Sequence, residues 1–263
     1  MLLYDSPALT AYLLLLTALL GLVMGSFLNC LAWRLAHGEA VSKGRSHCPA
    51  CGHTLAARDL IPLFSWLLLR GRCRYCGGRI SPRYPAAELV TALAYVSVAA
   101  RYGLTLDALR GLVLLSLLIA ASLVDLEEGW IPDRLVLAGI GAFVLLALPD
   151  AAPLAALGRG LFGALAVTLP LLALVLLADR LLGRETMGGG DIKLLFMLGL
   201  YFDWKLNLLL LIAACLLGLG LALILGRARP GAPFPFGPAL AAAAWFVLLA
   251  GRGVLDWYLG LFF

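Results

Sequence analysis

An all-α polytopic membrane protein, with about eight transmembrane helices and a small lobe between the first two, is the fold class that three observations predict. The 263 residues are 63% hydrophobic and 13% charged, with a mean hydropathy of +0.99; soluble domains are nearer half apolar and a quarter charged. Apolar runs that cross, or nearly cross, a bilayer recur along the chain. Basic residues gather in one loop, 34–84.

The apolar run from Pro7 to Trp33 has no Lys or Arg before Arg34 and is too long for a cleaved signal, so it reads as the first permanent span. The further runs are 86–101, 108–125, 132–149, 158–182, 191–203, 204–226 and 237–258. Segment 191–203 is short and ends at Tyr201-Phe202-Asp203-Trp204; if it is re-entrant, about seven spans remain. The expected division is a first helix (1–33), a loop domain (34–84) and a transmembrane core (85–263).

Charge orients these spans. Loop 34–84 holds nine of the 20 basic residues and only two acids, Glu39 and Asp59, and is therefore cytoplasmic by the positive-inside rule. With eight spans, Arg134, Arg180, Arg184, Lys193, Arg227 and Arg229 share its side. The N-terminus, with Asp5 and no base, lies outside. The net charge of +5 thus reflects topology and does not point to nucleic acid.

Within that loop, Cys48-Pro-Ala-Cys51-Gly and Cys73-Arg-Tyr-Cys76-Gly form two C-x-x-C pairs with 21 residues between them. A pair so spaced holds one metal if the backbone turns sharply, which the following glycine allows. Four thiolates make a closed tetrahedral Zn²⁺ site of the structural kind, and a cytoplasmic setting disfavours disulfides. A redox pair is the competing reading. His47 and His53 flank the first pair as surface or supporting groups, and Cys30 and Cys215 read as inert apolar residues within spans. Between the pairs, residues 60–69 are apolar but too few to span. They fit a segment lying in the interface, with Trp66 at the headgroups and Arg70 and Arg72 reaching lipid phosphate.

Two aspartates stand out. Asp125 closes the apolar run SLLIAASLVD, at a helix end where the dipole disfavours an anion. Intramembrane carboxylates are costly, roughly 2.5–3.5 kcal/mol on insertion scales, and are functional candidates by default. Pro132 and Asp133 suit the start of the next helix, and Glu127 and Glu128 a polar turn. Asp191 follows Gly188, Gly189 and Gly190 at the mouth of an apolar helix. It also fits a helix N-cap, but three glycines lower the backbone's bulk and admit a second chain. Two crossings lie between the aspartates, so both come to the cytoplasmic face. Neighbouring carboxyls share a proton near neutral pH; one then activates a water while the other polarises a scissile carbonyl.

These residues give the chain a family likeness. GSFLNCLAWRL (25–35), the paired C-x-x-C loop, IPLFSWLLLRGRCRYCG (61–77), SPRYPAAELVTAL (81–93), DLEEGWIPD (125–133), MGGGDIKLL (187–195) and PFGPAL (235–240) together resemble the type IV prepilin leader peptidases. These are membrane aspartyl proteases of the G-x-G-D class. The resemblance implies Asp125 and Asp191 as the catalytic pair, with Gly188, Gly190, Asp133 and Lys193 in support. It implies prepilin or type II secretion pseudopilin substrates, cut on the cytoplasmic side of the bacterial inner membrane. It also implies N-methylation of the new N-terminus with S-adenosylmethionine, although no glycine-rich nucleotide loop is present. Two other readings compete. One is a presenilin-like intramembrane protease, which Pro238-Ala239-Leu240 echoes; the other is a non-catalytic zinc-anchored assembly factor or transporter. A transporter wants polar groups at mid-bilayer, whereas here they gather at one face.

Overall fold

The computed structural model describes residues 6–41, 44–224 and 235–261, so Asp5, Lys43, Arg227 and Arg229, on which part of the charge reading rests, lie outside the described residues. The helices are α1 (Pro7–Ala36), α2 (Phe64–Leu68), α3 (Arg83–Tyr102), α4 (Leu106–Glu128), α5 (Asp133–Ala147), α6 (Pro153–Leu182), α7 (Gly189–Tyr201), α8 (Trp204–Ile224), α9 (Gly237–Phe246) and α10 (Arg252–Leu259). A π-helical turn, Val247–Gly251, joins the last two. Among the described residues there is no strand, only two isolated bridges.

Each of the eight expected apolar segments is largely helical over its described residues. Among the described residues, five helices are long and apolar enough to cross a membrane: α1, α4, α6, α8 and the run Gly237–Leu259. The other three are α3, α5 and α7. Helix α3 carries Glu88 within its length. Helices α5 and α7 have only 15 and 13 residues, so at 1.5 Å per residue neither reaches the ~30 Å of a hydrocarbon core. The chain divides into two compact units, Met1–Leu123 and Val124–Phe263.

In the first unit, α1 packs on α3 through Gly21 and Gly25, a G-x-x-x-G spacing. A Cβ on Gly21 would lie 2.6 Å from the Ala92 Cα, and one on Gly25 2.6 Å from the Glu88 Cα. The Asn29 amide reinforces the contact, donating to the Gly25 and Tyr84 carbonyls at 3.1 and 3.2 Å. The opposite face of α1, with Leu16, Leu19, Leu20, Val23 and Phe27, is exposed, as a lipid-facing surface should be. Gly25→Val is expected to overpack this contact and cost about 1–3 kcal/mol, read as a lowered unfolding temperature of the purified protein.

In the second unit, α7 is the buried element: Leu194, Leu195, Met197, Leu198 and Leu200 are all inaccessible. It packs against α5 and α6. Gly199 lets α6 approach, since a Cβ there would sit 2.4 Å from the Ala164 Cα. Tyr201 donates its hydroxyl to the Gly139 carbonyl at 2.7 Å, and fully buried Asn207 of α8 donates to the Gly163 carbonyl at 3.2 Å. Asp203 ends the ambiguous stretch as a cap for α8, accepting from the Lys205 and Leu206 N–H groups at 3.0 Å each.

Candidate active site and metal centre

Asp125 lies inside α4, which continues to Glu128 and stops at Gly129 in the left-handed region (φ 72°). Asp125 is only 5% exposed, and its Oδ2 accepts from the Gly237 backbone N–H at 2.8 Å. That donor sits at the N-terminus of α9, where unpaired N–H groups favour an anion. Gly237 has to be glycine: a Cβ there would stand 2.8 Å from the same carboxylate oxygen.

Asp191 is in the first turn of α7, whose N-cap is Gly188; no side chain caps the helix. The capping account of Asp191 therefore fails, and its carboxylate is left for another use. It lies within electrostatic range of Asp125. The three glycines differ in their surroundings. A Cβ on Gly188 would come within 3.2 Å of Asp191 Oδ2 and one on Gly190 within 3.2 Å of the Ile131 side chain, whereas Gly189 faces open space. Asp133 and Lys193 are paired with each other, Lys193 Nζ donating to both carboxylate oxygens at 2.8 and 3.0 Å. This exposed pair links the starts of α5 and α7.

In the first unit, the four candidate metal ligands converge: the Sγ atoms of Cys48, Cys51, Cys73 and Cys76 lie within 4.8 Å of one another. Two near-identical knuckles hold them. Cys48 N–H donates to the His53 carbonyl and Gly52 N–H to the Cys48 carbonyl; Cys73 N–H donates to the Gly78 carbonyl and Gly77 N–H to the Cys73 carbonyl. Gly52 and Gly77 take φ of 69° and 70°, the left-handed turn that needs glycine. Backbone N–H groups of Cys76 and Tyr75 pull the Cys73 thiol down to about 7, towards the thiolate that binds metal. Four convergent thiols with no competing carboxylate fit Zn²⁺.

The histidines do not join this set. His53 packs on the Tyr75 ring at 3.6 Å between centroids, and His47 meets Trp33 edge-on at 5.4 Å. Asp59, a residue the sequence did not single out, joins the linker to the second knuckle. It accepts from Arg74 Nε at 2.7 Å and from the Tyr75 hydroxyl at 2.9 Å, and the Arg74 guanidinium holds its carboxyl below the usual range. Buried Arg34 closes the loop leaving α1, donating to the Ala40, Val41 and Gly44 carbonyls at 3.1–3.2 Å. Trp66 donates its indole N–H to the Ile80 carbonyl at 3.2 Å.

Comparison with known proteins follows the same layout. Residues 19–102 match the family model described as the bacterial peptidase A24 N-terminal domain, and residues 112–223 match the type IV leader peptidase family. A prepilin leader peptidase/N-methyltransferase of Aeromonas hydrophila is 41% identical over 82% of this chain and 74% of its own length. The chain belongs to the type IV leader peptidase family. Other type IV leader peptidases similar to it, under the same name, are those of Pseudomonas aeruginosa (37% identical, 93% of each chain) and Bacillus subtilis (34%, 91% of this chain and 95% of its own). No solved structure matches the chain. The leader-peptidase match contains both aspartates, while Gly237, the donor to Asp125, lies beyond it.

Proposed function

We propose that this chain cleaves the leader peptide of type IV prepilins or type II secretion pseudopilins at the cytoplasmic face of the bacterial inner membrane, with Asp125 and Asp191 as the catalytic pair, and then N-methylates the new N-terminus. The observation that carries the reading is the pair itself: two carboxylates from different helices, in electrostatic range, in a chain of a leader peptidase family. In this reading the pair shares one proton. The ionised carboxylate takes a proton from a water, whose oxygen attacks the scissile carbonyl. The protonated carboxyl hydrogen-bonds the carbonyl oxygen as it gains charge, and the amine leaves with a proton returned from the pair. The Gly237 N–H holds Asp125 in place, the open space beside Gly189 leaves room for the substrate chain, and the Asp133–Lys193 pair fixes the start of α7 against that of α5.

Zn²⁺ at the four cysteines supplies structure to the lobe and no chemistry to cleavage. S-adenosylmethionine, when bound, supplies a methyl group for the freed amine. The cleft lined by Trp66, Arg70, Arg72 and Arg79 presents arginines, a poor fit to a sulfonium cation, and methylation rests on the family likeness. The purified protein, given a prepilin and S-adenosylmethionine in detergent, is expected to release the leader and a mature chain one methyl heavier by mass spectrometry. Release without the methyl confines the enzyme to proteolysis, and an intact prepilin overturns the proposal.

A further inference from the structure

The lobe carries a cationic cleft that neither zinc binding nor proteolysis uses. Its volume is about 590 Å³, and Trp66, Arg70, Arg72, Arg79 and Ser81 are among its walls; among the described residues no carboxylate and no cysteine lines it. Arg72 and Arg79 face each other across an antiparallel bridge at the root of the second knuckle, a placement in which like charges destabilise each other. Among the described residues none of these three arginines has a carboxylate partner. Arg74, two positions from Arg72, takes Asp59, and the other acid of the loop is Glu39. The floor is fixed: Gly71 adopts φ 67° beneath the Trp66 ring, and the indole is tied to Ile80.

Next to this cleft the lobe exposes apolar side chains that a water-facing domain would bury. Phe64, Leu67 and Leu68 of α2 are 60%, 62% and 81% exposed, and Ile61 before them 49%. The Leu63 N–H holds this segment to α3 through the buried carboxylate of Glu88, at 2.8 Å. The lobe follows the end of α1 at Ala36 and precedes the start of α3 at Arg83, so chain connectivity keeps it at one end of this helix pair. A charged cleft beside an apolar ridge matches one kind of molecule, with a phosphate at one end and acyl chains at the other.

We infer that the cleft formed by Arg70, Arg72 and Arg79 binds the headgroup of an anionic phospholipid, with Phe64, Leu67 and Leu68 set among its acyl chains. The sequence suggested that Arg70 and Arg72 meet lipid phosphate; the structure adds Arg79 and places all three along one open cleft. Arginine suits the task because its planar fork grips two phosphate oxygens at once.

The test uses the full chain in zwitterionic micelles, titrated with phosphatidylglycerol or phosphatidylcholine, with retained lipid counted by native mass spectrometry and zinc content as the control for folding. Phosphatidylglycerol is expected to be retained in preference. Each of Arg70→Gln, Arg72→Gln and Arg79→Gln is expected to lower its retention about fivefold, the worth of one cation near an anionic surface. Equal retention of both lipids, or unchanged retention in the zinc-replete variants, overturns the site. Displacement of phosphatidylglycerol by inorganic phosphate assigns the cleft to a soluble ligand and overturns the lipid reading. If an arginine variant loses zinc, Leu68→Ser decides, because its side chain is 81% exposed and supports no fold; unchanged phosphatidylglycerol retention there also overturns the inference.

Discussion

Asp191→Asn and Asp125→Asn are each expected to lower prepilin cleavage by about 10²–10⁴-fold, the usual contribution of a positioned acid or base, while leaving the protein folded in the membrane. Both substitutions keep shape and remove charge. Asp191 caps no helix, so its loss removes only a favourable charge near the start of α7, worth about 0.3–1 kcal/mol. An asparagine at 125 still offers a carbonyl oxygen to the Gly237 N–H, the bond that holds the native side chain at 2.8 Å. Because two groups sharing one proton act as a unit, the double variant is expected to be about as inactive as either single one. Cleavage of a co-expressed prepilin, followed by electrophoresis, is the measurement. Full activity in either single variant removes the pair from the mechanism, and a double variant far worse than both singles shows that they act separately.

How far the sequence spoke depended on the range of each interaction. Helices and knuckles were legible because their signals are local: the eight apolar runs, Pro132 and Asp133 at the start of α5 and the two C-x-x-C-G knuckles all read directly from neighbouring residues. The depth of each helix was less so. Segment 191–203 looks like a short span from composition, yet α7 is a buried inner helix because other helices pack on it; composition alone does not separate lipid contact from protein contact. At the candidate site, the two carboxylates were visible as acids in the wrong surroundings. The Gly237 donor was not, because it is 112 residues from Asp125 and its only signal was PFGPAL. The Asp133–Lys193 pair, 60 residues apart, was equally out of reach of local patterning, as was the approach of Gly21 and Gly25 to α3.

Removing zinc is expected to unfold the lobe while leaving the membrane helices in place. The lobe has little else to hold it: its segments contain one three-residue turn and the five-residue α2, and Cys48 and Cys73 are its most buried apolar groups. A structural zinc bound by thiolates supplies about 10–16 kcal/mol in isolated fingers, more than the few kcal/mol available from the Asp59–Arg74 tie and the His53–Tyr75 contact. The α1–α3 contact does not depend on it, since Gly21, Gly25 and Asn29 meet α3 without any cysteine. Metal analysis is expected to find about one Zn²⁺ per chain. After chelation, hydrogen exchange should rise across residues 46–80 and stay low in α1 and α3. The pH dependence rests on two neighbouring thiols shifted in opposite senses: backbone N–H groups draw Cys73 down to about 7, whereas Cys76, despite the Gly78 N–H, is pushed up to about 11 by the surrounding cysteines, so Cys73 is the one whose readiness changes near neutrality. A depressed thiol is ready for metal above that pH and is progressively protonated below it, so the affinity with which the stripped lobe reloads zinc should fall as pH drops through 7. Cys73→Ser removes this thiolate and is expected to abolish reloading at any pH. A metal-free preparation whose lobe keeps its protection from exchange would remove zinc from the fold.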